Sequence, residues 1–216
     1  MISDVGGVAD FDGRKLKHTD LQTLKESDCV ALTNWSANKS GNFLARKVFA
    51  INGRKDRLNF LDPSDLAGAE GRIKQLKEII DEGLTDVISV NENETRILAK
   101  SFSTNTLPRR YTPRDVLRTS TNLQNALHVT LDVHTPIGSA STSSETQAWS
   151  RAFRPAEGFV TGAGDVWDAA DILAHLLHIG LGDRLRLANA CAYLYLSSGG
   201  VRLPRLVELQ GFLDKK

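Results

Sequence analysis

Cysteine is scarce in this 216-residue chain: Cys29 and Cys191 are the only two. They are too few and too far apart for a disulfide framework or a thiolate metal site, and read as reduced core thiols. Long apolar runs are missing as well. None approaches the roughly 18–20 residues that cross a bilayer, so no membrane partner is expected. The N-terminal stretch MISDVGGVADFDGRK has neither the basic nor the apolar segment of a secretory signal, and the expected location is cytoplasmic. Neither sign of charge dominates, with 27 Lys and Arg against 26 Asp and Glu. A nucleic-acid surface needs a basic excess, so no nucleic-acid partner is expected. Internal repeats, low-complexity tracts and a domain boundary are not visible either, which leaves one domain over residues 1–216. With 41% hydrophobic residues the chain can bury a sizeable core.

What is present alternates. DCVALTNW (28–35), RLNFLDP (57–63) and DVISVNEN (86–93) read as buried strands. Between them NFLARKVFAING (42–53) and GAEGRIKQLKEIIDEG (68–83) have helical spacing and glycine stops, the second placing Ile73, Leu76, Ile79 and Ile80 on one face. ETRILAKSF starts a further helix and RDVLRTSTNLQNAL another, joined by the Pro- and Arg-containing connector TNTLPRRYTP. HVTLDVHT, IGSAST and TQAWSRAF then read as three short strands in hairpin succession. Helices alternating with strands imply right-handed crossovers and a mostly parallel sheet, an α/β fold. From Gly162 the chain turns helical. Val166, Ala169, Ala170, Leu173, Leu176 and Leu177 form an apolar stripe expected to face the core, and Asp168, Asp171, His175 and His178 a polar face expected to be solvated. DRLRLANACAYLYL (183–196) and LPRLVELQGFL (203–213) are two more helices.

Two short motifs carry chemistry. In FVTGAGDVWDAADILAHLL (159–177), Gly162, Ala163 and Gly164 precede Asp165 at a helix start. Unobstructed backbone N–H groups at a helix N-terminus hold anions, and an acid at the rim could take a proton from an attacking hydroxyl. The same Asp165 could equally just complement the helix dipole. In NENE (91–94), Asn91 and Glu94 have the spacing of a capping box. They also stand at the C-terminal end of a parallel strand, where open α/β sheets bind ligands, so Glu94 could organise Mg²⁺-bound water beside phosphates. Asn34 and Asn38 bracket Trp35 after the first strand, suited to a substrate hydroxyl or phosphate, or to capping a loop.

The ordered set NENETRILAK, VTLD, TGAGDVWDAA and LANACAYLYLSSGG resembles the ribokinase-like (PfkB) family of sugar and nucleoside kinases over residues 28–213. The resemblance implies a three-layer αβα fold around a mostly parallel sheet. It also implies ATP- and Mg²⁺-dependent phosphorylation of a hydroxyl on a sugar, nucleoside or related small polyol. By that likeness Gly162, Ala163, Gly164 and Asp165 are the anion hole and catalytic base. Asn91, Thr130 and Asn189 then serve the nucleotide, Glu94 the metal, and Asn34, Asn38 and Asp165 the acceptor. The family's Thr-Leu-Gly-x-x-Gly reads Thr130-Leu131-Asp132-Val133-His134-Thr135 here, which places Asp132 near phosphates. Phe159 and Val160 stand where the family usually has Asp-Thr. Family members begin with further strands and a small β lid, so this sequence resembles their C-terminal two-thirds. Relatives often pair through that lid, which leaves a homodimer open. The alternative from another class is a non-catalytic, kinase-like module that binds a nucleotide or a partner chain.

Overall fold

The computed structural model describes residues 6–51, 56–154 and 161–215; Phe159 and Val160 lie outside them. Six strands form one sheet in sequential order: β1 (Cys29–Leu32), β2 (Leu58–Leu61), β3 (Val87–Asn91), β4 (Thr130–Thr135), β5 (Gly138–Thr142) and β6 (Gln147–Arg151). β1 to β4 are parallel, and β5 and β6 return as antiparallel hairpins. The helices are α1 (His18–Glu26), α2 (Gly41–Phe49), α3 (Ile73–Asp81), α4 (Glu92–Ser101), α5 (Pro113–Leu127), α6 (Ala163–Leu176), α7 (Leu181–Ser197) and α8 (Leu206–Leu213).

The alternation in the sequence therefore gives the expected α/β fold, its sheet mixed with three parallel and two antiparallel pairings. β1 stops at Leu32, because Asn34 takes a left-handed conformation (φ 58°) and Trp35–Ala37 is a 3₁₀ turn. β3 stops at Asn91, whose side chain caps α4 with no loop between them. α1 has no buried residue, so no apolar period announces it.

The two faces of the sheet differ. On one face Val30, Leu61, Ile88, Val90, Leu131, Val133 and Ala140 pack with the apolar sides of α2 to α5, and Ile73, Leu76, Ile79 and Ile80 are buried there as expected. A strand alternates sides every residue, so the residues between these point the other way. The register aligns Ser89, Asp132 and Ser141 in one row, and Asn91, His134 and Ser139 in the next. This second face lies under α6 and α7 and is polar at its centre.

That polar row shifts α6 from its expected orientation, although Val166 and Ala170 are buried as expected. Asp168 and Asp171 are 5% and 1% exposed, whereas Leu173 and Leu177 are 54% and 63% exposed. Ser89 Oγ donates to Asp168 at 2.5 Å. Arg184 of α7 forms two bonds to Asp132 (3.0 and 3.2 Å), one to Asp171 (2.5 Å) and one to Ser141 (2.9 Å). The acids turn inward because the sheet and α7 offer them partners, so the solvated-face expectation fails for Asp168 and Asp171. His175 and His178 do lie toward solvent. Burial holds the Asp168 carboxyl well above the usual carboxylate range, with Asp62 adding to the effect. Burial, then the Asp132 charge, likewise raises Asp171 to about 9, against the lowering effect of Arg184.

Candidate active site

The parallel strands β1 to β3 end on the same edge of the sheet, and there the loops and helix N-termini gather. α6 starts there without a side-chain cap, its N-cap Gly162 in the left-handed region (φ 82°). A Cβ on Gly162 would lie 2.7 Å from Tyr195 Oη, whose hydroxyl donates to the Thr161 carbonyl at 3.2 Å. Glycine is thus required at this position both by its backbone conformation and by the crowding of Tyr195. The first intrahelical bond is Val166 N–H to Gly162 O at 3.1 Å. The N–H groups ahead of it in this first turn have no carbonyl within the helix to meet, as at any helix start.

That turn divides two environments. Ala163 and Gly164 line a cavity of about 420 Å³ whose other walls include Asn91, His134, Pro136, Phe153, Trp167, Tyr193 and Leu196. Asp165 is outside this lining and exposed. It faces a group of carboxyls instead. Burial raises Asp62 to about 6, with the Asp165 charge adding to it. Burial, and then Asp62 and Asp65, raise Glu94 to about 7 against the lowering effect of the Asn91 backbone N–H.

Asn91 and Glu94 form the complete capping box. The Asn91 Oδ1 accepts from the backbone N–H groups of Asn93 (2.8 Å) and Glu94 (3.0 Å). Glu94 accepts from Asn91 N–H (2.8 Å) and Asn91 Nδ2 (2.6 Å). Glu94 is nevertheless only 4% exposed, beside the acids of the same edge. Asp62 is the residue that the motif reading missed. Its signal is positional: an acid directly after a parallel strand and before Pro63.

The structure separates other expected site residues from this edge. Thr130 starts β4 and pairs with Val87, whereas Asn91 pairs with His134. The Thr130 position is thus a strand length away, and it lines clefts at the other end of the sheet. Matching the Thr-Leu motif by letters alone places it too early in the strand. Asp132, expected near phosphates, is 0% exposed and held by Arg184. Asn38 is buried, its Nδ2 donating to Phe11 O (2.6 Å) and its Oδ1 accepting from Ser40 N–H (2.7 Å). It braces the loop from a buried position. Asn34 remains exposed at the end of β1.

Asn189 lines the cavity with its amide already occupied. It accepts from Trp167 Nε1–H at 2.9 Å and donates to the carbonyls of Ser150 (3.1 Å) and Arg151 (3.3 Å). It therefore shapes the cavity by fixing Trp167. Trp167 in turn stacks on His134, with centroids 5.2 Å apart and planes 28° apart. Burial lowers His134 to about 4, opposed by Asp132, so the ring is neutral at pH 7.

Among the described residues, no group of three or more His, Cys, Asp or Glu side chains forms a metal cage. Among the described residues no helix is long and apolar enough to cross a membrane.

No family model matches the sequence, and no curated sequence matches it. Solved structures do. An E. coli protein described as ribokinase II, in complex with ATP and Mg²⁺, is 20% identical, with 91% of this chain and 62% of that one covered at a TM-score of 0.68. Adenosine kinase from Sinorhizobium meliloti is 16% identical, with coverage of 93% and 58% and a TM-score of 0.69. Arabidopsis thaliana ribokinase, complexed with ribose and ATP, is 20% identical, with coverage of 92% and 59% and a TM-score of 0.68. The chain spans about three-fifths of the length of these structures. Over that span it has the ribokinase-like α/β fold.

Proposed function

We propose that this chain carries the phosphoryl-transfer site of an ATP-dependent kinase whose acceptor is a hydroxyl of a sugar, nucleoside or related small polyol. One observation supports this above the others: the uncapped start of α6 has an aromatic-walled cavity on one side and Asp165 on the other. The cavity suits a nucleotide, with its terminal phosphate on the N–H groups of residues 163–165. Asp165 accepts the proton of the attacking hydroxyl. The fixed N–H dipoles stabilise charge on the transferring group, the kind of preorganisation that supplies most of the barrier reduction in this chemistry. Glu94 and Asp62 are the residues that would hold Mg²⁺ through its water shell, and the ion would neutralise phosphate charge. Asn91 positions Glu94 through the capping box.

The neighbours' contents, ATP and Mg²⁺ in one and ribose and ATP in another, agree with this reading. A second reading, a module that binds nucleotide without transfer, is favoured by the occupied oxygens of Glu94. Calorimetric titration with Mg-ATP, followed by transfer assays over a panel of sugars and nucleosides, distinguishes them. The kinase reading expects saturable binding and transfer to one acceptor class. Binding without transfer supports the module, and no binding refutes both.

A further inference from the structure

We propose that His134 is a phosphate-binding residue of this site, its Nε2–H donating to the phosphate seated on the first turn of α6. The inference rests on the nucleotide reading above and adds a residue outside the anion-hole motif. The register of β4 against β3 sets His134 level with Asn91, at the ligand edge of the sheet. The ring lines the same cavity as Ala163 and Gly164. Its Cε1 and Nε2 lie 3.3 and 3.8 Å from where a Cβ of Gly164 would be. The imidazole edge therefore lies directly against the turn that holds the anion. The absence of a side chain on Gly164 keeps that edge open.

The ring is also preorganised. Trp167 stacks on it, and Asn189 fixes Trp167 through the indole N–H. Among the described residues no hydrogen bond engages the imidazole, so its N–H is available to a ligand. A neutral imidazole has one donor nitrogen, and the Nε2–H tautomer directs it at the turn. A phosphate there would receive backbone N–H groups from α6 and one side-chain N–H from the sheet. A donor to a charged group is worth more than a neutral hydrogen bond, and its loss is expected to weaken binding about tenfold.

The test uses His134→Phe, which keeps the stacking but removes the N–H, and His134→Gln, which restores an N–H without the ring. Calorimetry with Mg²⁺ measures AMP, ADP and a non-hydrolysable ATP analogue on each purified protein. For His134→Phe the expected result is a near-normal melting temperature, unchanged AMP affinity, and about tenfold weaker binding of the ATP analogue. His134→Gln should recover part of that loss. Equal binding of the analogue by His134→Phe and wild type overturns the inference. So does equal weakening of all three ligands, which marks a structural role. Wild-type protein that binds none of them overturns the nucleotide reading itself, a distinct result from either.

Discussion

Replacing Arg184 by Met tests the polar layer under α6. The guanidinium is 5% exposed and makes four bonds: two to Asp132, one to Asp171 and one to Ser141. Methionine fills similar volume but strands Asp132, which is 0% exposed. Breaking a buried pair by removing one partner costs about 3–5 kcal/mol. Burial, then the Asp132 charge, raises the Asp171 carboxyl to about 9, so its loss of the guanidinium is expected to cost less than that of Asp132. The lower end, about 3 kcal/mol, is therefore expected, or a fall of roughly 6–12 °C in Tm for a chain of this size. Urea unfolding at pH 7 should show a lower midpoint at constant slope. Adding Asp132→Asn should recover at least half of the loss, because the stranded charge disappears. A loss under about 1 kcal/mol, or no recovery in the double variant, would refute the claim that Arg184 neutralises a buried acid.

Two further predictions concern the same region. Asp62, Glu94 and Asp171 have folded-state pKa values of about 6, 7 and 9, all above their ordinary values. Their contribution to stability is complete below about pH 4 and is lost as pH rises through 6 to 9, at about 1.4 kcal/mol per pH unit for each carboxyl still protonated. His134, lowered to about 4, acts in the opposite sense: its contribution is present above 6.5 and is lost as pH falls toward 4. Thermal melts should show greatest stability on the acid side of neutrality and a decline toward pH 9 that Asp171→Asn flattens. Gly162→Ala forces a side chain into the left-handed region and against Tyr195 Oη, and should cost about 1–2 kcal/mol and weaken Mg-ATP binding. Unaltered melting and binding would show that this turn is not as tightly held as described.

The parts of the molecule legible in the sequence are those that depend on local rules. The capping box of Asn91 and Glu94, the turn at Gly162 and the apolar side of α3 follow from spacing and backbone preference alone. The orientation of α6 does not. Its sequence shows two faces but not that Ser89 and Arg184 wait inside for the acids. Thr130 fails for a related reason. Period-two alternation gives the face of a strand, but which residue ends level with Asn91 is fixed by pairing with β3. Asn189 lines the cavity, and its bonds to Trp167 and β6 come from contacts 22 and 39 residues away, beyond any local pattern.

The central claim is that Asp165 removes a proton from an acceptor hydroxyl beside a phosphate held on α6. Single-turnover transfer from Mg-ATP to the best acceptor, compared between wild type and Asp165→Asn, tests it most directly. The substitution keeps size and hydrogen bonding but removes the base, so the account predicts a fall in transfer rate of about 10²–10⁴ with Mg-ATP affinity and melting temperature nearly unchanged. Transfer by the variant at near-wild-type rate would contradict the claim and leave Asp165 as a helix-dipole partner.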